Sequence, residues 1–427
     1  MANGFRAIIA GGGISGLTLA NAFEKAGIDY ILLEKRDIAP DMGIAVSIFP
    51  NSGVVHQQLG ITTDLPVPIL RHKHFIGKGH MFRETQELSI VSDTIHRSMT
   101  AMPRNYYLDR LYENIADKSK IRSRNGVESY TETEDGVTVV TERGETITGS
   151  ILIGADGAHS MIRSLLAESL EKTDPERSKE LANPWVTKYK VVVGASRNGQ
   201  SKPLIDLGTA NSCYYKRVGG TCLSSVPGII YWTMNIPLEK PTKDRLRFNR
   251  ADLEAEIAKH GHLHMGTSFT YQDLWDNQIA TEMVQVEEGI VRSRWNDGGR
   301  VVLIGDAVQK ATPNLGMGGN SAVEAVCHLT NGLVALLKAS PNPSTTQLVE
   351  VFDQYEAKHR PRGDLVVTLG SYAMQFDTQE TWWLRLFRML LRWIPDIVLA
   401  RAFLAYLSGA PRLDFLPSPD ATDKLTN

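Results

Sequence analysis

The sequence predicts an α/β fold in which a Rossmann-type dinucleotide-binding domain is joined to an antiparallel β-sheet domain and a C-terminal helical tail. Three observations carry that expectation. Apolar strands run into glycine-rich turns and helix starts around Gly11, Gly157 and Gly305. Between about residues 166 and 296 short β-branched and aromatic runs replace that pattern. Beyond residue 380, apolar residues and arginines recur at helical spacing.

The chain opens on a βαβ unit. Ala7-Ile8-Ile9-Ala10 is an apolar strand, Gly11-x-Gly13-x-x-Gly16 the turn, Leu17 to Lys25 a helix, and Tyr30-Ile31-Leu32-Leu33-Glu34 the second strand. In such a unit the first glycine makes the tight turn, the second lets backbone approach a pyrophosphate, and the third allows close helix–strand packing. The helix N-terminus turns free N–H groups toward the phosphates. Glu34 is then placed to accept from a ribose hydroxyl. A bare GxGxxG recurs in many loops, but strand, helix, second strand and acid together are specific.

A helix around Tyr106–Lys118 follows, then a hairpin of alternating residues from Thr131 to Thr141 that turns at Asp135-Gly136. The buried strand Ile151-Leu152-Ile153 leads into Gly154-Ala155-Asp156-Gly157, Ser160 and Arg163. Val186 to Val193 and Gly228 to Met234 read as strands of an antiparallel sheet, suited to roof a cavity. The strand Val301-Val302-Leu303-Ile304 then ends in Gly305-Asp306, with Thr312-Pro313-Asn314-Leu315-Gly316-Met317-Gly318-Gly319-Asn320 leading to a helix from about Ser321 to Leu337. Bare N–H groups at a helix start can hold a carbonyl or a developing negative charge.

The tail carries Arg385, Arg388 and Arg392 at helical spacing beside Trp382, Trp383, Leu386, Phe387 and Met389. After Pro395, the segment Ile397–Leu407 is too short and too interrupted to span a bilayer. Two readings stay open. The region 381–407 rests as an amphipathic hairpin on an anionic membrane surface, or it packs on the protein's own core or a second subunit.

Composition narrows the classes. With 427 residues, 42% of them hydrophobic, and a formal charge of −2, the chain reads as a globular protein without the basic bias of a nucleic-acid binder. Cys213, Cys222 and Cys327 have neither CxxC spacing nor a neighbouring histidine cluster, so neither a disulfide scaffold nor a metal site is expected. The N-terminus enters a core strand at once and lacks a signal-peptide pattern, which points to a cytoplasmic protein, peripheral on the cytosolic face of an internal membrane if the tail binds one.

These residues resemble the three fingerprints of the group A, para-hydroxybenzoate hydroxylase-like FAD-dependent monooxygenases: Gly11, Gly13, Gly16 and Glu34; then Asp156, Gly157 and Arg163; then Gly305, Asp306, Pro313, Gly316 and Gly318. Glu34-Lys35-Arg36, Ile38-Ala39-Pro40, Gly43, Pro50-Asn51, Leu59-Gly60, Arg104 with Tyr107, and Thr312–Gly316 resemble more closely the fungal branch of indole-diterpene and meroterpenoid epoxidases. The resemblance implies a discontinuous FAD domain of residues 1–75, 104–165 and 297–340, a substrate domain of 76–103 and 166–296, and a helical region of 341–427.

It also implies roles. Glu34 binds the adenosine ribose, Arg104 the phosphates or ribityl chain, and Asp306 the ribityl hydroxyls. Ser47 is the small contact after Gly43, Gly319 and Asn320 lie beneath the isoalloxazine, and Asp156 and Arg163 belong to a motif linked to both FAD and nicotinamide. NAD(P)H is a transient donor, O2 the oxidant, and a flavin C4a-hydroperoxide passes oxygen to an alkene or electron-rich ring of a small hydrophobic, prenylated or terpenoid substrate. Tyr214, Tyr215 and Tyr231 are candidate cavity phenols, with Tyr215 ranked first as a catalytic residue for its place in the presumed roof.

Two positions depart from that pattern. Gln309 stands where relatives commonly carry histidine, and Met317 replaces the glutamine of Gly-Gln-Gly. A glutamine cannot act as a general acid near neutral pH, although it can replace a structural hydrogen bond. A non-redox cyclase therefore stands as an alternative, beside Baeyer–Villiger oxygenation, which would begin from the same flavin peroxide, and a flavin-binding scaffold that recruits partners through its C-terminal hairpin; neither the oligomeric state nor the choice of NADH or NADPH follows from the sequence.

Overall fold

The structure is a computed structural model that describes residues 4–40, 45–199 and 201–419. Gly43 and the two ends of the expected domain map lie outside the described residues. At the centre is a five-stranded parallel sheet in the order Val301–Leu303, Ile151–Gly154, Arg6–Ala10, Asp29–Leu33, Ile121–Arg122. Ile8, Ile9, Leu152, Ile153, Val301 and Val302 are wholly buried, as strands covered on both faces must be. The register places Ala10 beside Gly154 and Gly154 beside Leu303. All three glycine turns therefore leave the sheet side by side at its carboxyl edge, where α/β sheets bind ligands.

The expected hairpin forms as Val127–Glu132 and Val137–Thr141, extended by Thr146–Gly149 into a small antiparallel sheet. The large sheet has eight strands in the order Gln309–Lys310, Gln278–Ile290, Val186–Arg197, Ile229–Thr242, Val218–Ser224, Thr209–Tyr215, Arg71–Ile76, His80–Thr85. It is antiparallel except where Arg71–Ile76 lies parallel to Thr209–Tyr215. The strand Arg71–Ile76, which the boundary at residue 75 gave to the FAD part, thus belongs to this sheet. Conversely, Thr100–Pro103 pairs with Ala45–Ile48 next to the glycine turns. Arg71–Ile76 offers no apolar alternation to mark it, because four of the six residues in RHKHFI are charged or imidazole.

Alternation divides the large sheet into two faces. Cys213, Ile230, Trp232 and Met234 point outward, under Leu253, Ile257 and Leu274 of two short helices, Arg250–His260 and Tyr271–Asp276. Tyr189, Val191, Ala195 and Tyr231 point inward. Beneath the inner face runs the helix Thr345–Asp377, started by a capping box between Ser344 and Gln347. Phe352 and Tyr355 of this helix enter the core around the parallel sheet, whereas Met374 meets Tyr189 and Val191 of the large one.

The tail breaks at Pro395 into helices Trp382–Leu391 and Asp396–Ser408. Arg83 holds the break: its guanidinium donates to the carbonyls of Leu391 and Ile394 and pairs with Asp396. The second helix packs on the protein itself, Phe403 edge-on to Phe49 and Tyr406 in a cluster with Met317 and Val366. The first leaves Trp382 73% exposed and, just beyond its end, Trp393 75% exposed. Among the described residues one helix, Met317–Ala339, is long and apolar enough to cross a membrane, and half of its most apolar window is buried inside the protein.

Candidate cofactor and substrate site

A groove of 470 Å³ opens along the carboxyl edge of the parallel sheet, lined by Gly11 to Gly13, Glu34, Arg104, Asp156 and Gly157. Beside it, close glycine contacts hold the fingerprint loops together. Gly11 sits at φ +110°, and a Cβ there would overlap the Ala155 carbonyl. A Cβ on Gly16 would overlap the Gly11 carbonyl, one on Gly305 the Ser15 hydroxyl, and one on Gly316 would stand 2.9 Å from Ser47 Cβ. Gly13 differs, since a Cβ there would meet no atom within 4 Å. Its missing side chain leaves room in the groove for a ligand's phosphates. The helix Ile14–Ala26 begins at Gly13 with no side-chain cap, so its first N–H groups are left for an anion.

Glu34, Arg104 and Asp156 line the same groove, and Asp306 is close enough to Arg104 to act on its charge. Glu34 accepts from the N–H groups of Gly12 at 2.6 Å and Arg36 at 2.8 Å, which fixes it beside the glycine turn. Burial works against the charge on Arg104, and Asp306 and Glu34 are the carboxylates that offset this. Asp306 pairs through Oδ2 with Lys310 at 2.5 Å, leaving Oδ1 for another donor. Asp156 receives the N–H groups of Met161 at 2.6 Å and Ile162 at 3.2 Å, while its Oδ1 is buried without a partner. Burial raises the pKa of this carboxyl. An acceptor orphaned inside the groove fits a ligand that brings donors.

Arg163 does not reach the groove. Its guanidinium is buried and donates to the carbonyls of Leu181, Ala307 and Ala158, stacked on Trp185. It braces the second fingerprint against the third rather than presenting charge to a nicotinamide. Asn320 is likewise a clamp: it accepts from Phe49 N–H and donates to the carbonyls of Ser47 and Gly316. Its side chain positions the strand Ala45–Ile48 under the glycine run, while Gly319 approaches Ile14 and Val46.

The two departures resolve differently from a loss of chemistry. Gln309 is buried and bonded to Ser321 and His359, away from the groove. Met317 is buried against Phe49, Val366 and Tyr406, where it joins the start of the helix Met317–Ala339 to the tail.

Tyr231 lies on the inner face of the large sheet with a buried hydroxyl that has no partner, next to Ala195, Val226 and Leu223. Tyr214 also lies on this face, bonded to His74 at 2.8 Å and edge-on to Phe376. Tyr215 lies on the other face, so its ranking as the catalytic phenol is corrected. Its hydroxyl donates to the carbonyls of Gly77 and His264, in the cluster under the outer helices. Adjacent strand residues point to opposite faces, and the register of this strand puts Cys213 and Tyr215 outward.

Sequence reasoning missed Asp377. It ends the long helix on the inner face, where its Oδ2 accepts from Asn235 at 3.3 Å and from Asn314 of the third fingerprint loop at 3.2 Å. No motif marks it, and only the length of the preceding helix brings it there.

Comparisons with known proteins agree with this geometry. The chain matches the family described as FAD binding domain over residues 5–369. It is 30% identical over 428 residues to the FAD-dependent monooxygenase penE of Penicillium thymicola, covering 97% of this chain and 88% of that one. It is also 30% identical over 429 residues to the FAD-dependent monooxygenase verC1 of Penicillium polonicum, covering 98% of this chain but 52% of verC1, so it spans about half of that relative. Among solved structures, Klebsiella pneumoniae HpxO complexed with FAD and uric acid superposes with a TM-score of 0.78 at 19% identity, covering 96% of this chain and 98% of that one, a likeness of fold.

Proposed function

The chain belongs to the FAD binding domain family and to its FAD-dependent monooxygenases, and from that premise we propose that it uses NAD(P)H and O2 to epoxidise or hydroxylate a prenylated or terpenoid small molecule. The observation that carries this reading is the apolar inner face of the large sheet, which carries Val193, Ala195, Leu223 and Tyr231 and is tied to the third fingerprint loop through Asn235, Asp377 and Asn314. The oxygen-transfer chemistry is supplied by the bound FAD. The chain's own residues do the rest. Glu34, Arg104 and Asp156 line the groove that would hold the cofactor, with Asp306 acting on Arg104 from beside it, the glycine contacts keep the fingerprints together, and the roof would exclude water so that oxygen is not wasted. Tyr231, with an unpartnered hydroxyl on an apolar wall, is the phenol that would orient a substrate oxygen.

Incubation with NADPH, prenylated indoles and terpenoid phenols under isotopically labelled O2 tests the reading. Incorporation of one labelled oxygen at an alkene or ring carbon supports it, and an ester or lactone oxygen beside a former ketone would make the enzyme a Baeyer–Villiger catalyst. Conversion without O2 would sink it in favour of a non-redox cyclase.

The exposed face of Trp382–Leu391, with Arg385, Arg388 and Arg392 and no acid among residues 381–395, supports a peripheral seat on an anionic membrane. That seat would bring a greasy substrate to the roof. Flotation with phosphatidylserine vesicles, absent with phosphatidylcholine alone, is the expected result.

A further inference from the structure

Asp377 occupies an unusual place for an acid. It is the last residue of the helix Thr345–Asp377, where the backbone dipole disfavours negative charge. Its two partners, Asn235 and Asn314, are neutral amides that both bind Oδ2. Few other groups act on its charge. The strand Arg71–Ile76 contributes His72, which is itself paired with Glu87 at 3.4 Å. The strand Thr209–Tyr215 contributes Cys213 and Tyr214, both kept protonated by burial. The third fingerprint loop and the strand Ile229–Thr242 contribute the two asparagines. Burial with this sparse compensation raises the Asp377 carboxyl to a pKa of about 7.

The helix end cannot retreat. A Cβ on Gly219 would overlap the Asp377 carbonyl, and Arg217 N–H donates to the next carbonyl, that of Thr378, at 2.7 Å. Asp377 is thereby held between the sheet's inner face and the loop Thr312–Gly316.

We propose that Asp377 is the proton donor of the substrate cavity, giving its O–H to an oxygen of the bound substrate beside the third fingerprint loop. This rests on the reading of the inner face as the substrate roof. When that substrate oxygen gains negative charge, its new O–H bond forms as the Asp377 O–H bond breaks. The electron pair remains on the carboxylate, which the amides of Asn235 and Asn314 stabilise. Gln309, buried away from the groove, cannot supply such a proton, so the acid comes from a helix beyond the fingerprints.

The test compares the FAD-loaded wild type with Asp377→Asn, which retains shape and hydrogen-bonding capacity. Infrared pH-difference spectra between about pH 5 and about pH 9 should show a protonated-carboxyl band in the wild type that titrates near neutrality and is missing in the variant. Glu132, also raised to about 7, remains in both proteins and cancels. With prenylated indoles and terpenoid phenols, product formation should fall by ~100-fold in the variant and lose its decline above neutral pH, with flavin content and reduction by NADPH unchanged. An identical infrared titration in the variant, or an unchanged rate and pH profile, overturns the proposal. Should the wild type oxygenate none of these compounds, the functional reading fails, and the infrared comparison still decides where the proton sits.

Discussion

Gln309 bridges two helices in the interior: its Nε2 donates to the Ser321 hydroxyl at 2.9 Å, and its Oε1 lies 3.1 Å from His359 Nε2. All three side chains are buried. The amide therefore joins the helix Met317–Ala339 to the long helix Thr345–Asp377, and a Cβ on Gly363 would overlap its oxygen. Replacing Gln309 by alanine should leave two buried groups unpaired and cost ~2–4 kcal/mol. Reduction by NADPH should persist. Chemical denaturation alongside stopped-flow reduction checks both halves.

His359 and His56 give the stability a definite pH dependence. Burial lowers His359 to about 3 and His56 to about 4, against an ordinary value of 6.5. The unfolded chain then binds more protons than the folded one between those values, so stability is fully present above 6.5 and is lost as pH falls toward 3. Each histidine contributes a slope of up to ~1.4 kcal/mol per pH unit. Urea midpoints measured in steps from neutral pH downward should fall, and His359→Gln should remove about one proton from the slope.

Gly11 and Gly13 should respond oppositely to alanine. At Gly11 the new Cβ meets the Ala155 carbonyl at a backbone angle that favours glycine, so both folding and flavin retention should fail. At Gly13 it meets no protein atom, so the apoprotein should melt normally while its flavin is lost on gel filtration. Equal melting points for the two variants would contradict the geometry.

Asp306→Ala should give protein that purifies without stoichiometric yellow flavin, because it removes the acceptor beside the groove and strands Lys310, whose partner it is. Retained flavin would take Asp306 out of the site.

Tyr215→Phe should leave oxygenation unchanged and cost ~1 kcal/mol of stability, since the hydroxyl serves only the carbonyls of Gly77 and His264. Tyr231→Phe should do the reverse, altering product distribution with little effect on melting, since its hydroxyl has no partner to lose.

What was legible in the sequence follows from this contrast. Gly11, Gly16, Gly305 and Gly316 could be read because close backbone approach is written in the residue type itself. Glu34 and Asp306 could be placed at the sheet's carboxyl edge because they follow strands whose apolar runs are unmistakable. Tyr214 and Tyr215 could not be told apart, because one residue of register decides the face. Arg163 looked like a ligand-binding cation until its donors were seen satisfied by three carbonyls. Asp377 was out of reach, since its neighbours Asn235 and Asn314 come from a strand and a loop far away in the chain.

The glycine contacts also set a timetable for synthesis. Gly11 leans on Ala155, Ser15 on Gly305, and Ser47 on Gly316, so a nascent chain cannot bring its three fingerprints together until the last of them has left the ribosome. Such long-range closure is slow and leaves the early strands exposed meanwhile. A ribosome-stalled chain ending before Gly305 should therefore engage chaperones and take up no flavin, and yellow colour becomes a reporter of completed folding as well as of cofactor affinity.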